Sequence, residues 1–321
     1  MNNRENNSFV TRKILSEYTG GEENVVIPGD YWAVGKGAFK NNKTIKSVTF
    51  QKGVVEIHSE AFRGCSQLKE IIFSDSVTRI DNWAFRECDS LTEVVIGSGV
   101  EELEAAFISC SNLKKVIIPN GVTGLGLGLG SFIDCPNLKS ITIPASVEMI
   151  LCDSFSRSGL EEIYIPDSVQ DVLCGAFRCC KDLRSVRLSD SLKEISEATF
   201  YGCSSLKRIS LPDNLTIIRT SSFEGSGLEE IRIPGSVEEI WAAAFADCVN
   251  LKSVEICEGV SKIGCRAFSS CGNLQNVSLP ASVKRISVNA FDHCPKINFS
   301  APSGSYAEKW INKQNAKMES E

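Results

Sequence analysis

Phenylalanine recurs along the chain at an almost constant interval, and the residue before it is always Ala, Ser or Thr. The interval is 22 to 25 residues, which lies in the range of short solenoid repeats and below that of helical and propeller repeats. The twelve members of this column are Phe39, Phe62, Phe85, Phe107, Phe132, Phe155, Phe177, Phe200, Phe223, Phe245, Phe268 and Phe291. We call each repeat a rung and predict that the phenylalanine rings form the structural core of a stacked array.

A short run of alternating apolar and polar residues follows most of these phenylalanines and ends at a proline. In one rung Leu138, Ile141 and Ile143 are interleaved with Ser140 and Thr142. Period-two alternation is typical of a half-buried strand, so we expect the aliphatic side chains to point inward and the polar ones outward. The proline ends the run because it has no N–H for the next ladder bond.

A second apolar pair, such as Val147 and Ile150, leads from the proline to the next phenylalanine. Each rung is therefore predicted to contain a strand, a turn, a short extended segment and a tight turn at the column phenylalanine. One rung cannot bury its apolar residues alone, so neighbouring rungs must stack. The pattern predicts a curved solenoid of about twelve rungs with a continuous parallel sheet on its concave face.

The two ends of the array carry signs of capping. We predict a polar tail over residues 1–8, a solenoid over 9–300 that begins with a capping strand, and a capping helix with a polar tail over 301–321. A capping box at Ser305 and Glu308 should open the helix. Its face toward the last rung should carry Tyr306, Ala307, Trp310 and Ile311.

One rung contains the glycine-rich insertion Gly124–Gly130. Its glycines alternate with leucines and do not follow the spacing of a phosphate-binding loop. The segment is therefore interpreted as a bulge on the flank of the solenoid rather than a nucleotide site.

The rung from Leu274 to Cys294 and the rung that begins at Leu206 resemble the repeat of the BspA-like (treponemal-type) leucine-rich repeat family, which reads approximately L-x-x-I-x-I-P-x-x-V-x-x-I-x-x-x-A-F-x-x-C. The resemblance covers about residues 9 to 310. It implies a repeat solenoid of the α/β leucine-rich-repeat type, mostly β. The family is associated with binding, including bacterial and protozoan surface adhesins, and the resemblance implies no catalytic residues.

A column of cysteines accompanies the phenylalanines, three residues after nine of the twelve. Its members are Cys65, Cys88, Cys110, Cys135, Cys180, Cys203, Cys248, Cys271 and Cys294. Disulfides between rungs and a metal site are both conceivable, but a linear column offers no tetrahedral ligand set. We predict reduced thiols packed as small buried apolar groups.

Composition and charge exclude several classes of protein. The chain has 34 Lys and Arg against 40 Asp and Glu, with the two signs interleaved, so no basic stripe for nucleic acid is present. No run of apolar residues is long enough to insert into a membrane. The polar first residues do not resemble a secretory signal, so the expected location is cytoplasmic, or the cell surface or exterior if a leader was removed.

Candidate catalytic chemistry is sparse. The only histidines are His58 and His293, ten rungs apart, which argues against a histidine-dependent active site or metal centre. Acidic pairs such as Glu161 and Glu162 recur at repeat positions that should face solvent. We therefore predict no enzymatic activity, no cofactor and no metal.

The outward strand position between the two inward aliphatic residues changes character along the array. It is mostly β-branched or aromatic in the first seven rungs and polar in the last five. The candidate protein-binding residues on this concave face are Ile72, Val95, Ile117, Thr142, Tyr164, Arg187 and Arg232. An exposed apolar stripe bordered by charge indicates an interface, whereas β-branched residues also suit any exposed strand.

The sequence thus predicts a module, with a monomer favoured, that binds a protein ligand through its concave sheet. Two alternatives stay open. One is a cell-surface adhesin whose leader is absent from this sequence, and the other is an intracellular scaffold that self-associates.

Overall fold

The chain winds into a solenoid in which each strand pairs with a strand of the next rung. The computed structural model describes residues 12–120, 126–127 and 130–318. Every strand pairing among these residues is parallel. The predicted fold class, an array of rungs with parallel strands, is confirmed.

Two sets of strands run along the array. The first set, with three or four residues per strand, comprises β2 (Asn24–Ile27), β4 (Ser47–Phe50), β6 (Glu70–Ile72), β8 (Glu93–Val95), β10 (Lys115–Ile117), β13 (Glu162–Tyr164), β15 (Ser185–Arg187), β18 (Glu230–Ile233), β20 (Ser253–Ile256), β22 (Asn276–Ser278) and β24 (Asn298–Ser300). The second set comprises β1 (Lys13–Leu15), β3 (Tyr31–Val34), β5 (Glu56–Ile57), β7 (Arg79–Ile80), β9 (Glu102–Leu103), β11 (Gly126–Leu127), β12 (Met149–Ile150), β14 (Asp171–Val172), β16 (Glu194–Ile195), β17 (Ile217–Ile218), β19 (Glu239–Ile240), β21 (Lys262–Ile263) and β23 (Arg285–Ile286). The second set corresponds to the short extended segments predicted before each phenylalanine.

The first set does not form the continuous sheet that the repeat predicts. It is divided into β2-β4-β6, β8-β10, β13-β15 and β18-β20-β22-β24. Two rungs, at residues 139–143 and 207–211, contribute no strand, and each precedes a turn that is one residue shorter than usual. A single bond, such as Glu161 N–H to the Lys139 carbonyl at 2.9 Å, still joins the rungs there. The break between β6 and β8 has no shortened turn beside it, so turn length alone does not account for the divided sheet.

The phenylalanine column forms the core as predicted. Eleven of its rings are at most 2% exposed, and Phe291 at the end of the array is half-buried. Consecutive ring centroids lie 4.6 to 5.9 Å apart with nearly parallel planes. Tyr18 extends the stack at one end, 4.5 Å from Phe39, and Trp310 of the C-terminal helix covers the other, 5.8 Å from Phe291.

The cysteine column lies beside the rings, and its thiols form hydrogen bonds as well as packing contacts. All fourteen cysteines have free thiols, and eight of the nine column members are buried. Each column thiol donates to the carbonyl of the preceding rung's column phenylalanine over 3.0 to 3.4 Å. Burial raises the pKa of the Cys65, Cys135 and Cys180 thiols to about 12, which keeps them protonated as donors.

The turns around the phenylalanines contain a feature that the sequence analysis did not predict. In nearly every rung the residues two before and two after the ring have a positive φ, and most of them are not glycine. Examples are Glu60 at +59°, Ala198 at +53° and Asp247 at +56°. This conformation costs an L-residue about 1 to 2 kcal/mol, and backbone bonds between rungs hold it in place, such as Glu60 N–H to the Asn82 carbonyl at 3.2 Å.

The left-handed turn residues give a direct stability prediction. Ala243 has φ of +54°, whereas its neighbour Ala242 lies outside the positive region, and both are half-buried. We expect Ala243→Gly to raise the free energy of unfolding by about 0.5 to 1 kcal/mol because it relieves this strain. The matched control Ala242→Gly should lower it by a similar amount. Urea denaturation of both variants tests this, and equal destabilisation by both would contradict it.

The ends of the solenoid agree with the predicted caps in part. Residues 1–8 and the start of the predicted capping strand lie outside the described residues, and β1 pairs with β3. At the other end α1 (Tyr306–Met318) begins after Ser305, whose Oγ accepts the Glu308 N–H at 3.1 Å. The Glu308 carboxylate, however, accepts from Gly304 N–H at 2.7 Å and not from Ser305 as a capping box would require.

The face of α1 that covers the last rung is narrower than predicted. Ala307 is buried, and Trp310 and Ile311 pack against the core, but Tyr306 is 41% exposed. Of the glycine-rich insertion, only Gly126–Leu127 and Gly130 lie within the described residues, and β11 there pairs with β12. Most of the predicted bulge is therefore outside the described residues.

Candidate binding face

The outward residues of the first strand set lie side by side in register. Val26 pairs with Thr49 and Thr49 with Ile72, while Val95 pairs with Ile117. Farther along, Tyr164 pairs with Arg187, and Arg232, Glu255 and Ser278 are successive partners. Among the candidate residues of this outward column the pairings join Val95 to Ile117 and Tyr164 to Arg187, whereas Ile72 and Thr142 lie beside Val95 and Tyr164 without a strand pairing.

Five residues of this column form an uncovered strip, which we call the apolar stripe: Ile72, Val95, Ile117, Thr142 and Tyr164. Ile72 and Val95 are 47% and 49% exposed, and Tyr164 is 58% exposed. The stripe is exposed because its strand neighbours, such as Ile71 and Val94, turn into the core. A β-strand alternates faces at every residue, so burying one set leaves the other in solvent.

Three depressions follow one another along this face. The first, of about 700 Å³, is lined by Ile72 and Val95, and the second, of about 500 Å³, by Thr142, Tyr164 and Arg187. The third, of about 720 Å³, is lined by the polar outward residues of β18, β20, β22 and β24. The character of the surface therefore changes from apolar to polar along the array.

Arg187 is fixed in place by its neighbours. Its guanidinium lies over the Tyr164 ring, 5.1 Å from the centroid, and donates to the Ile165 carbonyl at 3.2 Å. It also donates to Asp167 and, at 3.2 Å, to Asp190. The hydrogen bond from Arg187 is the main reason that the pKa of the Asp167 carboxyl is lowered.

This arrangement changes the interpretation of Arg187. The Tyr164–Arg187 pair was evident from the sequence, whereas the two aspartates, which come from the turns after two successive strands, were not. Arg187 therefore orders the Tyr164 ring by stacking against it, and the aspartates of the same chain neutralise its positive charge.

The charges in the polar half also pair with one another. Arg232 lies 3.6 Å from Glu255, and Arg208 lies 3.2 Å from Glu230. Such exposed pairs contribute little to stability, about 0 to 1 kcal/mol each. They do make this half of the face electrically neutral.

Groups suited to catalysis or metal binding are not gathered at this face. Within residues 12–120, 126–127 and 130–318, no cluster of three or more His, Cys, Asp or Glu side chains could hold a metal ion. His58 contacts Glu56 at 2.9 Å, and His293 lies beside the C-terminal helix. In the same part of the chain, no helix combines the length and apolar character needed to cross a bilayer.

Comparison with known proteins is consistent with this geometry. A family model described as a BspA type leucine-rich repeat region matches residues 17–129, 126–252 and 174–298. None of the curated proteins compared with the chain matches it.

Several solved structures are similar to the chain. The pneumococcal vaccine antigen PcpA is 18% identical, with 94% of this chain and 89% of PcpA covered and a TM-score of 0.57. A leucine-rich repeat protein from Bacteroides ovatus is 25% identical, with coverage of 87% and 92% and a TM-score of 0.48. A leucine-rich cell surface protein from Faecalibacterium prausnitzii is 23% identical, with coverage of 94% and 93% and a TM-score of 0.43. The similarity to PcpA shows a shared solenoid fold.

Proposed function

Because the chain belongs to the BspA type leucine-rich repeat family, we propose that it is a non-catalytic module that binds a protein ligand through its concave face. The observation that carries the proposal is the apolar stripe, whose side chains are left exposed by the described part of the chain and whose members Val95 and Ile117 lie in register on paired strands. Exposed apolar strips rimmed by polar residues are typical of protein interfaces.

Strand propensity alone accounts poorly for the stripe. The same outward column continues onto β18, β20 and β22, where the strand geometry is the same but the residues are Arg232, Glu255 and Ser278. Propensity would favour β-branched residues at these positions equally. The restriction of apolar side chains to one half of the column therefore favours an interface.

The chemistry of the stripe also suits binding. Ile72, Val95 and Ile117 are β-branched and held on strands, so they lose little rotamer freedom when a ligand covers them. Tyr164 adds a large amphipathic ring already fixed by Arg187. Aromatic side chains with this degree of order are frequent energetic anchors of interfaces.

The test is to disrupt the stripe without disturbing the core. We expect Val95→Glu with Ile117→Glu to abolish capture of the native ligand, and Tyr164→Ala to weaken it at least tenfold, since an aromatic anchor of an interface contributes about 2 kcal/mol or more. Pull-down from the native source, quantified against the purified wild-type chain, measures this.

Matched controls come from the polar half of the same column. Ser210→Ala and Ser278→Ala change exposed residues and should leave ligand capture unchanged. All variants should keep the thermal transition of the wild type within a few degrees. Ligand capture by the Val95→Glu, Ile117→Glu variant at wild-type level would refute the proposal.

A further inference from the structure

Two carboxylates bracket the apolar stripe. Glu70 lies two residues before Ile72 on β6, and Glu162 lies two residues before Tyr164 on β13, so each acid stands in the outward column next to one end of the stripe. Both side chains are exposed. Among the described residues, neither carboxylate has a cation within ion-pair distance or a hydrogen-bond donor.

The cations that lie in the two outward columns all have acidic partners. Within the two outward columns of the described strands, Lys115 pairs with Glu93 at 2.8 Å and Arg187 with Asp167 and Asp190. Arg208 and Arg232 have the glutamate partners described above. Within these two columns the uncompensated charge is therefore negative and lies at Glu70 and Glu162, although Lys69, the residue before Glu70, lines the same depression.

The spacing of the stripe matches the pitch of a helix. Paired strands lie about 4.8 Å apart, and the column rings of these rungs lie 5.2 to 5.9 Å apart, so four rung steps place Glu70 and Glu162 about 19 to 22 Å apart. A helix presents its apolar side once per turn of about 5.4 Å, close to one rung, and covers this length in about four turns. In a bound extended strand, side chains on the same face recur about every 6.6 Å. They would lose register with the residues of the stripe within about two rungs.

From this combination of spacing and charge we infer that the ligand presents a cationic amphipathic helix, aligned with the solenoid axis. Its apolar side covers the stripe, and one basic side chain near each end contacts Glu70 or Glu162. This inference rests on the proposed function and specifies the class of partner. Attraction between the basic ends and the two carboxylates fixes the position of the helix along the array.

Synthetic peptides can test the inference directly. The probe is a helical peptide of about 18 residues with leucines along one face and two lysines about 14 residues apart. Fourteen residues make about four turns, so both lysines lie on the same side of the helix. Its two comparison peptides have glutamine or glutamate in place of the lysines. Fluorescence anisotropy with the full chain should show at least tenfold tighter binding of the lysine peptide than of the glutamine peptide. Salt should reduce that difference, because exposed charge pairs are screened.

Substitutions in the chain provide the complementary measurement. Glu70→Gln with Glu162→Gln should weaken binding of the lysine peptide about tenfold and abolish its advantage over the glutamine peptide. The control, Glu148→Gln with Glu238→Gln, removes the same charge from exposed positions beside β12 and β19 and should have no effect.

The outcomes separate this inference from the proposed function. If the three peptides bind equally, or if none binds the wild-type chain, the cationic helix is wrong. The proposed function is judged independently by the effect of Val95→Glu with Ile117→Glu on capture of the native ligand. Loss of that capture together with equal peptide binding would retain the concave interface and overturn the assignment of its partner.

Discussion

Replacing Phe177 by alanine is expected to lower the free energy of unfolding by about 3 to 5 kcal/mol. The Phe177 ring is fully buried and stacks between Phe155 and Phe200, with both centroids 5.5 Å away. Each neighbouring ring is fixed by its own rung, so the cavity cannot collapse and both stacking contacts are lost. Urea denaturation followed by circular dichroism measures the change.

A second substitution at Phe177 distinguishes the effect of a cavity from a general loss of folding. Phe177→Leu retains most of the buried volume and should cost clearly less than the alanine variant. Because each rung contacts only its neighbours, a lesion in the middle of the array should also weaken the coupling between its two halves. A loss below about 1 kcal/mol for Phe177→Ala would mean that the column does not form the core.

The phenylalanine column was predictable because the identity of the residues alone reveals it. A large ring at every period, preceded by a small residue, has only one arrangement that buries it, and the same holds for the aliphatic residues of the strands. Tyr18 occupies the column position of the preceding rung, since its N–H donates to the Ala38 carbonyl at 2.9 Å as Phe39 N–H donates to the Ala61 carbonyl. Its stacking on Phe39 was missed because it is not a phenylalanine and lies 21 residues before Phe39, just outside the interval of the column.

Backbone conformation was much less visible in the sequence. Glycine marks some of the left-handed positions, such as Gly175 and Gly202, but alanine, serine, aspartate and arginine occupy others. Hydrogen bonds between rungs impose the conformation on these residues, so local preference is overridden by packing.

The candidate face shows a similar division. Which side chains point outward follows from alternation, so the column could be located from the sequence. The ion pairs of that column could not be, because Asp167 reaches Arg187 from the preceding rung and Asp190 reaches it from the following turn. Identification of Glu70 and Glu162 as uncompensated therefore required the structure.

Glycine at position 259 should be as sensitive as the aromatic core. Its φ is +124°, a region almost closed to other residues, and a Cβ there would lie 1.8 Å from the Gly235 carbonyl oxygen. Gly53 has the same relation to Gly29 near the other end of the array, with φ of +117° and 2.2 Å to the carbonyl oxygen. We expect Gly259→Ala to lower the free energy of unfolding by about 3 kcal/mol, since it combines backbone strain with a steric clash.

The comparison variant for this prediction is Gly272→Ala. A Cβ at Gly272 would meet nothing within 4 Å, and its φ is not positive, so alanine there should stabilise the chain by about 0.4 to 1 kcal/mol by restricting the unfolded state. Ser282 occupies the position of Gly259 in the next rung without a positive φ, and its Oγ accepts the Gly259 N–H at 2.9 Å. If Gly259→Ala costs less than about 1 kcal/mol in urea denaturation, the turn can adopt the conformation found at Ser282. The contact with Gly235 would then be a consequence of having glycine at position 259 and not a requirement of the stack.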